Sequence, residues 1–285
     1  AAALGHAHAP KCVDCHTTHA VFPATDSLST VSHFRLVETC ARCHADPEVT
    51  RTLPFGHRAP VEGYLKSVHG RALIERRDPA APNCATCHPA HEVLPPSDPR
   101  SLVNPVNLPQ TCAQCHGDVY EIYAASVHGV AAERGMSGAP TCADCHGEHR
   151  IEPPESPTST VFPTTISRTT CPSCHASEAM GSRYGFDPAR IASYQQTYHG
   201  LATRRGDLSV ANCASCHGVH NIFRTADPRS TVNPANLTQT CGSCHPDANT
   251  RFAAINVHPK IGGDAGPRRP ADTVRVVYVV LLVAV

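Results

Sequence analysis

The chain has 285 residues, with 24 basic and 24 acidic side chains, so its formal net charge is zero, and it contains 20 histidines. It has 26 prolines and 18 glycines but no tryptophan, and only 5% of its residues are aromatic. Long helical or alternating patterns are scarce, which excludes a large core of regular elements and predicts mostly coil with short α-helices. No basic run with interleaved aromatic residues indicates a nucleic-acid partner.

The N-terminal segment reads AAALGHAHAP, without Met and without the apolar stretch of a signal peptide. This composition is typical of a mature protein whose signal peptide has been removed, which predicts an exported chain. Two histidines of this segment, His6 and His8, precede the first cysteine.

The sequence contains eight copies of the motif C-x-x-C-H, and together these copies use all 16 cysteines. This is the attachment pattern of c-type haem, in which two thiols bond one porphyrin and the adjacent imidazole binds the iron. Zinc would not require a histidine after every pair, a redox dithiol would occur once, and disulfides would not confine the cysteines to such pairs. The predicted haem-attachment cysteines are Cys12, Cys15, Cys40, Cys43, Cys84, Cys87, Cys112, Cys115, Cys142, Cys145, Cys171, Cys174, Cys213, Cys216, Cys241 and Cys244. The predicted iron ligands beside them are His16, His44, His88, His116, His146, His175, His217 and His245.

The motifs are spaced in pairs, because a nearly constant step of 28 or 29 residues alternates with a variable one. The text also repeats: DPRSLVNPVNLPQTCAQCH at 98–116 returns as DPRSTVNPANLTQTCGSCH at 227–245. The spacing predicts four tandem two-haem units that arose by duplication. Their bounds are about 12–44, 84–116, 142–175 and 213–245.

The first motif of every unit, and never the second, is followed by a histidine three residues beyond its own. An imidazole so close to the proximal ligand cannot reach the other face of the same haem. We therefore predict that it is the distal ligand of a neighbouring haem, with the partner haem of the same unit as first choice; a surface or propionate-binding role is the alternative. These histidines are His19, His91, His149 and His220.

A second string recurs after each unit: YLKSVHG (64–70), YAASVHG (123–129), YQQTYHG (194–200) and the variant FAAINVHP (252–259). Its aromatic residue predicts a short helix that packs a ring against porphyrin and presents an imidazole. With the four histidines above, these strings supply eight distal candidates for eight haems, which predicts bis-histidine iron throughout. The histidines are His69, His128, His199 and His258.

Two registers are open for this second set of histidines. In the favoured register, each of these histidines is a ligand of a haem in the preceding unit, and His258 is the ligand for the last unit. In the other, each serves the following unit, His6 or His8 serves the first, and His258 is free for a neighbouring subunit. His33, which stands where the other units have proline, is an alternative ligand, and His57 is unassigned.

The C-terminal segment differs from the rest of the chain. After a linker at 259–272, residues 273–285 read TVRVVYVVLLVAV, with an unbroken apolar run over 276–285. This run is too short for a bilayer, which takes about 20 residues. We predict that it begins a transmembrane helix; a buried strand or helix against a partner is the alternative. Covalent haem attachment takes place outside the cytoplasmic membrane, so the protein is expected to be periplasmic or extracellular and anchored at its C-terminus.

The eight C-x-x-C-H motifs and the CHxxH and SVHG strings resemble those of bis-histidine multihaem c-type cytochromes with doubled haem units. The resemblance covers about residues 6–258 and implies one octahaem domain over 1–258, with short helices and coil wrapped around a packed haem chain. It implies eight covalently attached c-type haems, with the histidine of each motif as the proximal iron ligand. Members of this group are joined to membrane quinol-oxidising subunits or assemble into extracellular filaments.

The resemblance therefore implies an electron carrier between a quinol-linked membrane donor and periplasmic or extracellular acceptors. The implied partners are redox proteins, such as a membrane cytochrome b or quinol-oxidising subunit, in a multi-subunit complex or homopolymer. One alternative is a subunit of an extracellular cytochrome filament, and another is an octahaem oxidoreductase. The enzyme needs one open iron, for which the eighth haem is the first candidate because NVHP at His258 departs from SVHG.

Overall fold

The computed structural model describes residues 9–51 and 59–259 and the isolated positions 274, 277 and 280. Within these ranges the chain forms short helices, turns and coil, without a strand. A π-helical turn over Ile166–Thr170 runs directly into one of the helices. The helices are α1 (Cys12–His16), α2 (Leu36–His44), α3 (Pro47–Thr50), α4 (Pro60–Lys66), α5 (Val68–Ile74), α6 (Cys84–Cys87), α7 (Leu108–Ala113), α8 (Gly117–Ala124), α9 (Val127–Glu133), α10 (Cys142–His146), α11 (Pro163–Thr165), α12 (Pro172–His175), α13 (Glu178–Tyr184), α14 (Ala189–Gln195), α15 (Tyr198–Arg204), α16 (Cys213–His217), α17 (Leu237–Gly242) and α18 (Thr250–Ala253).

Several predictions concern residues outside these ranges. They are the alternative ligand role of His6 or His8, the unassigned His57, nearly all of the linker, and most of the apolar segment 273–285. Val274, Val277 and Val280 of that segment are helical and exposed. None of the helices among the described residues combines the length and apolar character needed to cross a membrane.

Four one-turn helices carry the first motif of each unit: α1, α6, α10 and α16. Each of these helices begins at the first cysteine of its motif, because the residue before that cysteine forms hydrogen bonds with the first turn of the helix. In α6, Asn83 N–H donates to Thr86 Oγ1 at 3.1 Å, and Asn83 Oδ1 accepts from Ala85 N–H at 3.0 Å. Such bonds satisfy N–H and C=O groups that a helix end leaves unpaired. The residues corresponding to Thr86 in the other units are Asp14, Asp144 and Ser215.

Two threonines tie the two motifs of a unit together. In the first unit, the Thr30 hydroxyl donates to the carbonyl of Cys15, and the hydroxyl of Thr39, the residue before Cys40, donates to the carbonyl of Thr30. This relay holds the second motif at a set distance from the first in three units, whereas the second unit has Leu102 in place of the first threonine and retains only the bond from the Thr111 hydroxyl to the Leu102 carbonyl. The equivalent threonines are Thr160 and Thr170 in the third unit and Thr231 and Thr240 in the fourth.

Each linker between units ends in two short helices, and a hydroxyl residue caps the second of them. Ser67 ends α4 and caps α5, because its Oγ accepts from Gly70 N–H at 2.9 Å. A Cβ at Gly70 would lie 2.0 Å from the Tyr64 carbonyl oxygen, so the SVHG string requires glycine there. The Tyr64 hydroxyl donates to the carbonyl of Pro82 at 2.7 Å, two residues before the next unit's first cysteine. The string is therefore anchored to the unit that follows it.

Few apolar side chains are buried by the protein itself. The buried hydrophobic residues of the described ranges are Leu36, Val37, Ala72, Leu73, Ala81, Ala132, Tyr194 and Ala253. Half of these are alanines, and one small cluster gathers Val37, Ala72, Leu73 and Ala81 between α2, α5 and α6. A chain of this length normally buries far more apolar surface. The fold is therefore expected to depend on a bound apolar group.

Candidate functional site

Seven of the C-x-x-C-H histidines face a second histidine across a nearly uniform gap. The ring centroids of each pair are 5.9 to 6.2 Å apart. Every pair joins a motif histidine to one of the predicted distal histidines. The pairs are His16–His91, His69–His116, His88–His149, His128–His175, His146–His220, His199–His245 and His217–His258.

This separation fits an iron ion held between two imidazoles. A metal–nitrogen bond of about 2 Å on each side, with about 1 Å more from each nitrogen to its ring centre, gives about 6 Å. His258 also has the hydrogen bond expected of a ligand, because its Nδ1 lies 2.9 Å from the Arg190 carbonyl oxygen. A proton on Nδ1 leaves Nε2 free to bind a metal. The paired histidines and adjacent cysteines therefore fit the predicted haem.

The CHxxH histidines pair across units. His91 of the second unit faces His16 of the first, and His149 of the third unit faces His88 of the second. His220 of the fourth unit likewise faces a first-motif histidine of the third. The prediction that these histidines serve the other haem of their own unit is wrong for all three. The peptide after the motif extends away from its own unit: Ile151, two residues past His149, accepts a backbone hydrogen bond from Val68 in the linker before the second unit.

The SVHG histidines pair with the second motif of the following unit. His69, His128 and His199 face His116, His175 and His245 respectively. The favoured register is therefore wrong for these three. The tyrosine of each string determines the direction, because its hydroxyl bonds to the backbone just before the next unit. His258 alone faces the preceding unit, where it pairs with His217.

Two predicted ligands, His19 and His44, are in none of these pairs, and both are exposed. The described ranges contain no histidine ring stacked against His44, and the candidates His6, His8 and His57 lie outside those ranges. The eighth motif, first suspected of an open position, has its histidine paired with His199.

The two kinds of pair also differ in the angle between the imidazole planes. The three CHxxH pairs are nearly parallel, with interplanar angles of 13° to 21°. The three SVHG pairs are tilted by 40° to 54°, and the His217–His258 pair by 47°. Phe186 and Phe252 lie 4.9 Å from the rings of His175 and His245, two contacts absent from the CHxxH pairs.

Burial keeps several of these imidazoles uncharged. It is the main cause that lowers the pKa of His128 and His217 to about 4, and the facing histidine adds electrostatic repulsion. The same two causes lower the pKa of His69, His88 and His146. A metal binds the neutral imidazole, so these five histidines are in the ligating protonation state at neutral pH.

Cysteines of consecutive motifs lie close together, so the motifs follow one another in space in the order that they have along the chain. Between units, a hydrogen bond joins the Cys40 and Cys84 thiols, and it lowers the pKa of Cys40 to about 7 while raising that of Cys84. The same contact joins Cys112 to Cys142 and Cys171 to Cys213. Within units, electrostatic contacts link Cys15 to Cys40, Cys87 to Cys115, Cys145 to Cys174 and Cys216 to Cys241.

The structure also bears on two other roles of cysteine, disulfide bonding and zinc binding. All sixteen cysteines lie in the described ranges, and each is free rather than disulfide-bonded. A structural zinc site takes four protein ligands. Within the described ranges no group of three or more His, Cys, Asp or Glu side chains is arranged to hold a metal ion.

Comparison of the chain with protein-family models, curated proteins and solved structures finds no match. The features of the chain that bear on its function are therefore the motifs and the geometry of the histidine pairs.

Proposed function

We propose that the chain is an octahaem c-type cytochrome that relays single electrons along a row of haems. The observation that supports this most directly is the 5.9–6.2 Å gap between seven pairs of histidines, each pair including a C-x-x-C-H histidine. Each such site offers two thiols for covalent attachment and two imidazoles for the iron.

When bound, a haem supplies reversible one-electron exchange at its iron. The protein's side chains determine whether that exchange serves electron transfer or the reaction of a bound substrate. Because such a site would offer two imidazoles to the iron, it would gain or lose an electron without forming a bond to a substrate. The contacts between cysteines of consecutive motifs would hold neighbouring haems close together.

The contacts between cysteines support a row of haems that follows the order of the motifs. Its two ends are then the first motif and the eighth, where Cys12 and Cys244 are exposed; within the row, Cys115 of the fourth motif is exposed too. Exposed ends suit electron exchange with other redox proteins. In this proposal a quinol-linked membrane protein, such as a cytochrome b, gives electrons to one end, and a periplasmic or extracellular acceptor takes them from the other.

One observation favours a second function. His44 is in no histidine pair within the described ranges, and His6, His8 and His57 lie outside them, so the second haem is where a test for an iron open to small ligands is most informative. An oxidoreductase would need such an iron.

The test measures haem content and iron spin state in the full chain matured with haem. The expected result is eight covalent haems per chain, all low-spin by EPR in the oxidised protein and unchanged by nitrite, hydroxylamine or cyanide. One high-spin haem that binds these ligands would favour the oxidoreductase. Absence of covalent haem would overturn both functions.

A further inference from the structure

The two halves of the chain repeat one another with a shift of about 130 residues. The first cysteines of motifs one to four lie at 12, 40, 84 and 112, and those of motifs five to eight lie at 142, 171, 213 and 241. Cys115 and Cys244, the exposed second cysteines of the fourth and eighth motifs, occupy equivalent places. The chain therefore contains two four-motif blocks, 12–129 and 142–259, and the junction between them shows how one block meets the next.

Two histidine pairs cross the junction between the blocks. His149 of the second block faces His88 of the first, and the ring planes are nearly parallel at 13°. In the opposite direction, His128 of the first block faces His175 of the second. Each block thus gives one histidine to its neighbour and receives one from it.

The residues that correspond to these four histidines lie at the two outer edges of the pair of blocks. Counted by the same shift from His88, His128, His149 and His175, they are His217, His258, His19 and His44 respectively. His19 and His44 are exposed and belong to no histidine pair within the described ranges. His258 faces His217 of its own block instead. The two edges are therefore complementary halves of one junction.

The His217–His258 pair has the features of a substitute for the junction contact. Its ring planes are tilted by 47°, whereas those of the other first-motif pairs lie within 13° to 21° of parallel. The string that carries His258 has Phe252 where the preceding block has Tyr123, whose hydroxyl donates to the backbone of the following unit at 2.7 Å. No tyrosine anchor therefore opposes the release of His258 from His217.

Backbone groups at the same two edges are also complementary. A linker N–H group before one unit donates to the carbonyl two residues past the CHxxH histidine of the next unit. The two bonds of this kind, each 2.9 Å long, run from Val68 to Ile151 and from Val127 to Ile222. The next donor in the series is Tyr198, and the equivalent carbonyl at the opposite edge belongs to Val21. Neither group has a hydrogen-bond partner in the part of the chain that the structure describes, and the two residues are 75% and 60% exposed.

We propose that a second copy of the chain docks on the first and repeats this junction, so that its His19 faces His217 of the first copy. His258 of the first copy, released from His217, then faces His44 of the second. This inference rests on the proposed function, because the facing histidines are joined through haem iron. One contact between histidine and iron is given up and two form. Because the two docking surfaces differ, the contact can recur, which gives open chains or rings of copies.

The row of haems would continue from one copy into the next. At the junction between the blocks, the Cys112 thiol contacts that of Cys142. The equivalent residues at the two edges are Cys241 and Cys12, and Cys12 is exposed. The partner that these edges fit is therefore a second copy, which would extend the path for electrons.

His19→Leu, in the full chain with all its haems, tests one side of the docking contact. In sedimentation velocity, the original protein is expected to form longer species as its concentration rises. His19→Leu is expected to remain a single copy, because releasing His258 then gains no additional contact. Thr18→Leu, at the exposed neighbouring residue, is the matched control and should associate as the original protein does. A single copy at every concentration of the original protein, or association unaffected by His19→Leu, would overturn the proposal.

His258→Leu tests the exchange of histidines. It removes the residue that faces His217, so in dilute protein an additional eighth, roughly, of the iron is expected to be high-spin by EPR. Raising the concentration should return this iron to low spin, because His19 of a second copy replaces His258. The double variant His19→Leu/His258→Leu should remain high-spin at every concentration. A high-spin signal of His258→Leu that does not depend on concentration, or recovery in the double variant, would contradict the exchange.

Two further outcomes separate this inference from the proposed function. An additional high-spin haem in dilute His19→Leu would assign His19 to an iron of its own copy and overturn the inference alone. Eight covalent haems in an original chain that never associates would do the same. Absence of covalent haem would overturn the proposed function itself.

Discussion

The first and second motifs of a unit have the same five-residue pattern, yet they obtain their second histidine from opposite directions along the chain. A first-motif histidine faces a residue of the next unit, as His88 faces His149. A second-motif histidine faces a residue from the linker before its own unit, as His116 faces His69. A unit is therefore incomplete without the chain on both sides of it. The pairs connect four repeats in a row, and this connection replaces a common apolar core.

The largest expected effect follows from removing haem altogether. Chain produced without haem attachment should fail to form the compact fold, because few of its apolar side chains bury one another and binding energy becomes folding energy. Far-UV circular dichroism and limited proteolysis of this chain, compared with the mature protein, should show loss of helix and rapid cleavage. Cooperative unfolding of the haem-free chain at the same helix content would show that the histidine pairs are preformed.

The next effect concerns one haem in eight. His149→Leu should convert about one-eighth of the iron to high spin, because His88 loses its facing imidazole. His69→Leu should do the same for the haem at His116, and EPR quantified against total haem measures both.

The site that each histidine serves can be identified by a double substitution. Removing the third haem with Cys84→Ala and Cys87→Ala should abolish the high-spin signal of His149→Leu and leave that of His69→Leu intact. If the His149→Leu signal persisted, His149 would serve a different haem, and the contrast between the two kinds of motif would fail.

A smaller difference should be visible without any substitution. Nearly parallel imidazole planes split the iron d orbitals more strongly than tilted planes do, so low-spin ferric haems with the two arrangements have different g values. We expect three haems with rhombic spectra, from the pairs within 13° to 21° of parallel, and at least four with a larger maximum g value. A single class of signal would show that haem binding equalises the two kinds of pair.

The smallest expected effect concerns the loop behind one CHxxH histidine. Hydrogen bonds from Thr158 and Ser156, and the Arg150 guanidinium, lower the pKa of the buried Glu152 carboxyl to about 2. Because this folded-state pKa lies below the unfolded value of about 4.3, the carboxylate stabilises the fold above about pH 4.3, and this contribution is lost as the pH falls toward 2.

Urea unfolding of the Glu152→Gln variant tests this. The variant should be less stable than the original protein at pH 6, and the difference should shrink steadily below pH 4.3. Ser156→Ala serves as a matched control that weakens one bond to the carboxylate without removing the charge. A stability difference that does not change with pH would assign Glu152 a packing role only.

The sequence could predict the eight motifs, their spacing in four units and seven of the eight second histidines, because these features recur at fixed local positions along the chain. It could also predict short helices, since the motifs themselves begin them. It could not predict that His149 faces the second unit, because this depends on a loop that reaches Val68 in a distant linker. Nor could it show the direction of the SVHG strings, which depends on the Tyr64 hydroxyl and the backbone at Pro82.

What the sequence determined alone is the chemistry: the paired thiols, the adjacent imidazole, and a supply of second histidines, all of which depend on residues a few positions apart. Only the tertiary structure decided which histidine faces which, and at what angle. These properties depend on hydrogen bonds between residues as far apart as Tyr64 and Pro82, or His258 and Arg190, and local spacing along the chain carries no information about them.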